Sequence, residues 1–132
     1  MLHLTYRSEY RQLHIVVEQH LDFIEFRTTL LQFRKAYPTA QWYSTLWDLT
    51  RLPVQALLEG DLGLMTRSIM GGRGRTLDLA LVVSARATTG LGRTYLSRLG
   101  DEMESIQIFR SHAKAEKWLA ERLALRQKEA RS

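Results

Sequence analysis

The sequence predicts one α/β domain built on a single mixed, mostly parallel sheet, with elements in the order β-β-α-β-α-β-α-β-α. Three observations predict it. The chain opens with two short strand-like segments joined by a polar turn. Stretches rich in β-branched and aromatic residues then alternate with stretches of helical periodicity. The run from Leu77 to Val83 is apolar apart from Asp78, as expected of a central strand covered on both faces.

Taken in order, Leu2-His3-Leu4-Thr5-Tyr6 alternates, and Leu13-His14-Ile15-Val16-Val17 does so in part. The connection Arg7-Ser8-Glu9-Tyr10-Arg11 is short and polar, so the two form a hairpin. Phe23, Phe26, Leu30, Phe33 and Tyr37 then recur at helical spacing, with Ile24 and Leu31 widening the stripe. Asp22 followed by Glu25 has capping-box spacing, and Pro38 stops the helix by pushing the residue before it out of the α region.

Trp42 to Leu49 reads as the third strand, because Trp42, Tyr43, Thr45 and Trp47 favour pleated surfaces. Leu58, Leu62, Met65 and Ile69 mark a second helix, weakened by Gly60 and Gly63 at up to about 1 kcal/mol each and broken by Gly71-Gly72-Arg73-Gly74. Leu91 to Leu99 gives a third helix carrying Tyr95, Leu96 and Leu99, and Ser105 to Phe109 the last strand. Ser111 is placed to cap a final helix whose inward stripe is Ala115, Trp118, Leu119 and Leu123. The expected domain is 1–125, with 126–132 a charged, fraying tail.

The 132-residue length suits one domain, and such a chain buries roughly 70% of the surface its unfolded form exposes. With no cysteine, disulfides, thiolate nucleophiles and Cys-based zinc sites are excluded together, and a reducing cytoplasm fits. Arg7, Glu9, Arg11 and Glu18 interrupt the first twenty residues, so no apolar signal-peptide core stands there. The longest apolar run, Leu79 to Val83, is far shorter than the roughly 20 residues of a membrane span, so no transmembrane segment is expected.

Several phrases carry a resemblance. They are Trp47-Asp48-Leu49-Thr50, the Leu77 to Val83 strand, Gly90-Leu91-Gly92-Arg93, and Ile108-Phe109-Arg110-Ser111 followed by Ala115-Glu116-Lys117-Trp118-Leu119. With the element order, they make the chain from about Met1 to Leu123 resemble the STAS-like family of small bacterial proteins, related in fold to anti-sigma-factor antagonists. The resemblance implies a non-enzymatic regulatory or interaction module. It also implies a phosphorylated serine in an Asp-Ser-Ser-Gly segment opening the second helix. This sequence departs there: the nearest stretch, Glu59-Gly60-Asp61-Leu62-Gly63, has no hydroxyl, and neither Thr50 nor Ser68 matches the motif.

In open α/β sheets ligands bind beyond the carboxyl ends of the parallel strands. That rule selects Asp48, Thr50 and Arg51 after the third strand, Ser84 and Arg86 after the fourth, and Thr88, Gly90, Gly92 and Arg93 at the start of the third helix. Free N–H groups at that helix start, beside Arg86 and Arg93, would suit a phosphate or carboxylate. The competing reading is structural: Asp48 caps its own loop, Thr88 or Thr89 caps the helix, and the glycines shape the turn.

The net charge of +5 is uneven, with six arginines between Arg67 and Arg98 against one acid, Asp78. Arg73 and Arg75 could form a basic loop for nucleic acid. About eight residues at roughly 3.3 Å each separate them from Arg86, roughly 26 Å, which argues against one continuous nucleic-acid surface. No Gly-x-Ser-x-Gly elbow and no close carboxylate pair with a base beside it occurs, so no catalytic residue and no cofactor is assigned. His3, His14, His20 and His112 lack any metal-ligand spacing, so no metal is assigned, although His3 and His14 could face each other across the hairpin. The expected function is binding of a protein partner or a small anionic or apolar ligand at the strand-end edge. A nucleic-acid accessory protein and an enzyme with an unrecognised site are the alternatives. A homodimer is a further possibility, through the aromatic third strand or the exposed hairpin edge.

Overall fold

In the computed structural model, which describes residues 2–40, 42, 44–60, 62, 64–65, 78–102 and 105–131, five strands form one sheet in sequence order. Strands β1 (Leu2–Arg7) and β2 (Gln12–Val17) pair antiparallel. Strands β3 (Ser44–Asp48), β4 (Asp78–Val82) and β5 (Ile106–Phe109) continue parallel to β2. The helices are α1 (Phe23–Ala36), α2 (Val54–Glu59), α3 (Gly90–Glu102) and α4 (His112–Arg131). The expected mixed, mostly parallel α/β architecture is what is observed.

Local chemistry sets the element ends. The hairpin connection is a 3₁₀ turn, Ser8–Tyr10, closed by Arg11 in the left-handed region at φ 47°. Asp22 caps α1 by accepting from the N–H groups of Ile24 (2.9 Å) and Glu25 (3.3 Å). Ser111 Oγ accepts from Lys114 N at the start of α4, the cap its position predicts. Helix α2 turns Leu57 inward in place of the expected Leu58, Leu62 and Met65 are helical after a break, and Ile69 lies outside the described residues. Helix α2 ends at Gly60, where an added Cβ would fall 2.5 Å from Leu21 Cβ. Beyond the break, Leu62 and Met65 return to the core, and the Tyr95 hydroxyl ties the two sides by donating to Gly60 O and accepting from Leu62 N.

Strands laid down one after another in the same direction, with crossovers of one hand, put every crossover helix on the same face. The core follows that rule. Phe26, Leu30 and Phe33 of α1, Leu57 of α2, and Leu96 and Leu99 of α3 pack with Leu13, Ile15, Val17, Trp47, Leu79 and Leu81. Trp42 and Trp47 are buried in this layer, and Tyr43 lies outside the described residues. The second face carries a smaller cluster: Leu46, Ala80 and Val82 beneath Ala115 and Leu119 of α4. All five residues of β4 are buried, as a strand covered on both faces requires.

The second face also buries a carboxylate. Asp78, 1% exposed, accepts from Arg122 Nε at 3.1 Å and from Arg126 Nε at 2.6 Å and Nη2 at 3.0 Å. The bidentate Arg126 contact is the stronger geometry, and it raises the pKa of that guanidinium. The same contact seats Arg126, beyond Leu125, against the sheet. The helix runs on to Arg131 because its last turns are anchored to the start of β4.

The Arg122→Met/Arg126→Met double variant leaves Asp78 buried and uncompensated, and is expected to lose about 3–5 kcal/mol of stability in urea denaturation. Adding Asp78→Asn to that pair removes the buried charge and should restore most of the loss.

Candidate functional site

The parallel strands end side by side. Leu49 N donates to Val82 O and Val83 N to Phe109 O, each at 2.8 Å, so the loops after β3, β4 and β5 leave from one rim. Asp48, Thr50, Arg51, Ser84 and Arg86 are on that rim, with Thr88, Gly90, Gly92 and Arg93 following at the start of α3.

Most of these groups are already engaged. Asp48 Oδ1 accepts from Thr50 N (3.0 Å) and Thr50 Oγ1 (2.6 Å), the loop-capping arrangement typical of a strand-end Asp. Arg51 pairs with Glu18 at 2.6 Å. The Ser84 carbonyl accepts from Ala87 N, and the Thr88 and Thr89 hydroxyls donate to Ala85 O and Arg86 O. Gly90 takes φ +56°, and a Cβ on Gly92 would stand 2.5 Å from the Ala87 carbonyl oxygen. Arg86 and Arg93 are exposed and hold no ion pair among the described residues. The loop bearing Arg73 and Arg75 lies outside the described residues.

The opposite corner of the molecule holds a constellation the sequence reading did not assemble. On the face covered by α4, strand register aligns Arg7, Gln12, Ser44 and Asp78 in one row across four strands, and Thr5, His14 and Leu46 in the next. Gln12, His14, Ser44 and Asp78 are all buried. Gln12 Nε2 donates to Ser44 Oγ at 3.5 Å, and Gln12 Oε1 is in contact with His14 Nε2. The amide therefore accepts the imidazole proton and sets the orientation of the ring.

His3 and His14 share this face but do not oppose each other: His3 pairs with Val16, and His14 with Thr5. His14 instead meets His112 of α4, ring centroids 5.8 Å apart. One turn along, Glu116 Oε1 is 3.6 Å from His112 Nδ1 and 3.0 Å from Arg7 Nη1. Burial pushes His14 down to about 4, Arg7 and His112 push the same way, and Glu116 and Asp48 oppose. The ring is neutral at pH 7. The signal in the sequence was faint: polar residues alternating with Leu13 and Ile15 on β2, and the i, i+4 spacing of His112 and Glu116.

Beside this cluster a groove of about 340 Å³ opens between α4 and the hairpin, lined by Arg7, Tyr10, Gln12, Glu116 and Lys117 with Leu119 and Leu123 behind them. Its wall is more apolar than polar, and Lys117 at its mouth has no ion pair among the described residues. Among the described residues no helix is long and apolar enough to cross a membrane. No family model matches this chain, and no curated protein or solved structure matches it.

Between about pH 6.5 and pH 4 the unfolded chain binds a proton at His14 that the folded chain refuses, so stability present at neutral pH is lost as the pH falls through that window. The loss from this one group is at most about 3 kcal/mol. Denaturation at several pH values should show a shallower acid dependence in His14→Gln than in the parent. At the rim, Gly92→Ala forces a carbon onto the Ala87 carbonyl and should cost about 1–3 kcal/mol in urea denaturation.

Proposed function

We propose that this chain is a non-enzymatic binding module of STAS-like kind, and that its ligand is a small molecule with an apolar body and an anionic end. The STAS-like part of the reading is supported by the element order and by the phrases around Trp47, Gly90 and Ile108. The observation that carries the ligand part is the groove between α4 and the hairpin. It combines Leu119 and Leu123 behind with cations at the mouth, in a volume at the lower end of small-molecule pockets. Arg7 is neutralised by Glu116, which leaves Lys117 as the charge available to an incoming anion.

A second reading moves the ligand to the strand-end rim. It is favoured by Arg86 and Arg93, two exposed guanidinium groups with no ion pair among the described residues, flanking the first turn of α3. Binding there would be mostly electrostatic, because Asp48 and Thr50 already satisfy each other.

Anilinonaphthalene sulfonate, an apolar anion, is a suitable probe. The groove reading expects saturable fluorescence enhancement by the folded chain, weakened about tenfold by Lys117→Glu, which corresponds to about 1.4 kcal/mol. Ala120→Trp, which fills the groove, should abolish it. The Arg86→Ala/Arg93→Ala double variant should bind as the parent does. Loss of binding in that double variant, with Lys117→Glu unaffected, would transfer the site to the rim.

A further inference from the structure

We infer that His14, His112 and Glu116 form a binding site for a divalent transition-metal ion, of which Zn²⁺ is the best match. One nitrogen from each imidazole and one oxygen of the carboxylate lie within 4.8 Å of one another. Two imidazoles and a carboxylate are a familiar three-ligand set for zinc, with the fourth position left to water or another ligand. Ligand atoms about 2.0–2.1 Å from a tetrahedral ion are about 3.4 Å apart. The His112 Nδ1 to Glu116 Oε1 separation of 3.6 Å is already close to that edge length. The other pairs lie within 4.8 Å, so those edges need to contract by at most about 1.4 Å, within reach of small rotations of the half-exposed His112 and Glu116 side chains.

Two features make this a built site. His112 and Glu116 are one helical turn apart, so both project from one side of α4, toward the strand that supplies His14. His14 is 7% exposed, and its ring is oriented by Gln12, which is itself held by Ser44. Such outer partners commonly fix the orientation of metal-binding histidines. Arg7 is the one adverse element, a cation 3.0 Å from the Glu116 oxygen. Its charge opposes that of the ion and weakens binding. The inference does not rest on the proposed ligand, but Glu116 is shared: it also lines the groove, and an ion drawing it from Arg7 would leave that cation to the groove.

A second group, His20, Asp22 and Glu25 at the start of α1, also brings three donors within 4.8 Å. It differs in both respects. His20 is exposed, and Asp22 Oδ1 is committed to the N–H groups of Ile24 and Glu25 as the helix cap. It serves as the internal control.

The test is calorimetric titration of the chelator-stripped full chain with ZnCl₂, paralleled by visible absorption with Co²⁺. The expected result is one equivalent of Zn²⁺ and the intense d–d bands of tetrahedral Co²⁺. His112→Ala and Glu116→Gln alter side chains that are 43% and 37% exposed, so the fold should survive, as circular dichroism would verify. Each should weaken binding at least about tenfold, while His20→Ala leaves it unchanged. His14→Gln should do the same as the other two and, if it folds poorly, the two exposed variants decide the matter. Absence of Zn²⁺ uptake overturns the inference. So does uptake that persists in His112→Ala, or that disappears in His20→Ala.

Discussion

The arrangement of this molecule depends on one topological constraint: the four parallel strands are added in a single direction, so the crossover helices described all fall on the same face of the sheet. The other face is left to one helix, α4. A helix with its side chains is about 10–12 Å wide, whereas five strands about 4.8 Å apart span about 19 Å between the outermost. One helix cannot cover that width. It seats Ala115 and Leu119 over β3 and β4, and leaves the hairpin half of the face without an apolar lid.

That shortfall accounts for the hairpin end of the polar row, Arg7 and Gln12, whereas Ser44 and Asp78 lie on the strands that α4 covers. Arg7, Gln12, Ser44 and Asp78 occupy positions which, in a sheet covered on both faces, would be apolar. Each is instead satisfied laterally or by α4: Arg7 by Glu116, Gln12 by Ser44 and His14, Asp78 by Arg122 and Arg126. Asp78 is the most demanding of these groups, since a dry carboxylate costs several kcal/mol unless paired. Its two arginines fix the axial position of the helix. Fourteen residues, about 21 Å of helix, separate Arg126 from His112, so an anchor at one end of α4 places the imidazole and Glu116 at the other.

The rim and the groove face therefore have different physics. At the rim, short-range hydrogen bonds within each loop engage many of the polar groups, while Arg86, Arg93 and Arg110 are exposed. On the groove face, groups from β1, β2 and α4 that are more than a hundred residues apart in sequence meet, as Arg7 and Glu116 do. A site built from such distant partners has no spacing to read. A site built from neighbours, such as the Asp48-Thr50 turn or the Ser111 cap, does.

Local chemistry was legible for the same reason. The alternation of β1 and β2, the Phe26-Leu30-Phe33 stripe, the Asp22 cap and the buried run after Asp78 each follow from interactions within a few residues, and they determine the elements and their order. The break at Gly60 was only partly legible: the glycine is in the sequence, but the closeness of Leu21, which leaves no room for a Cβ there, joins residues far apart along the chain. The burial of Asp78, the extension of α4 past Leu125 and the meeting of His14 with His112 were decided by tertiary structure alone. All three come from where one helix lands on a half-covered sheet face, and that depends on the direction in which the strands are added, which no local pattern of residues encodes.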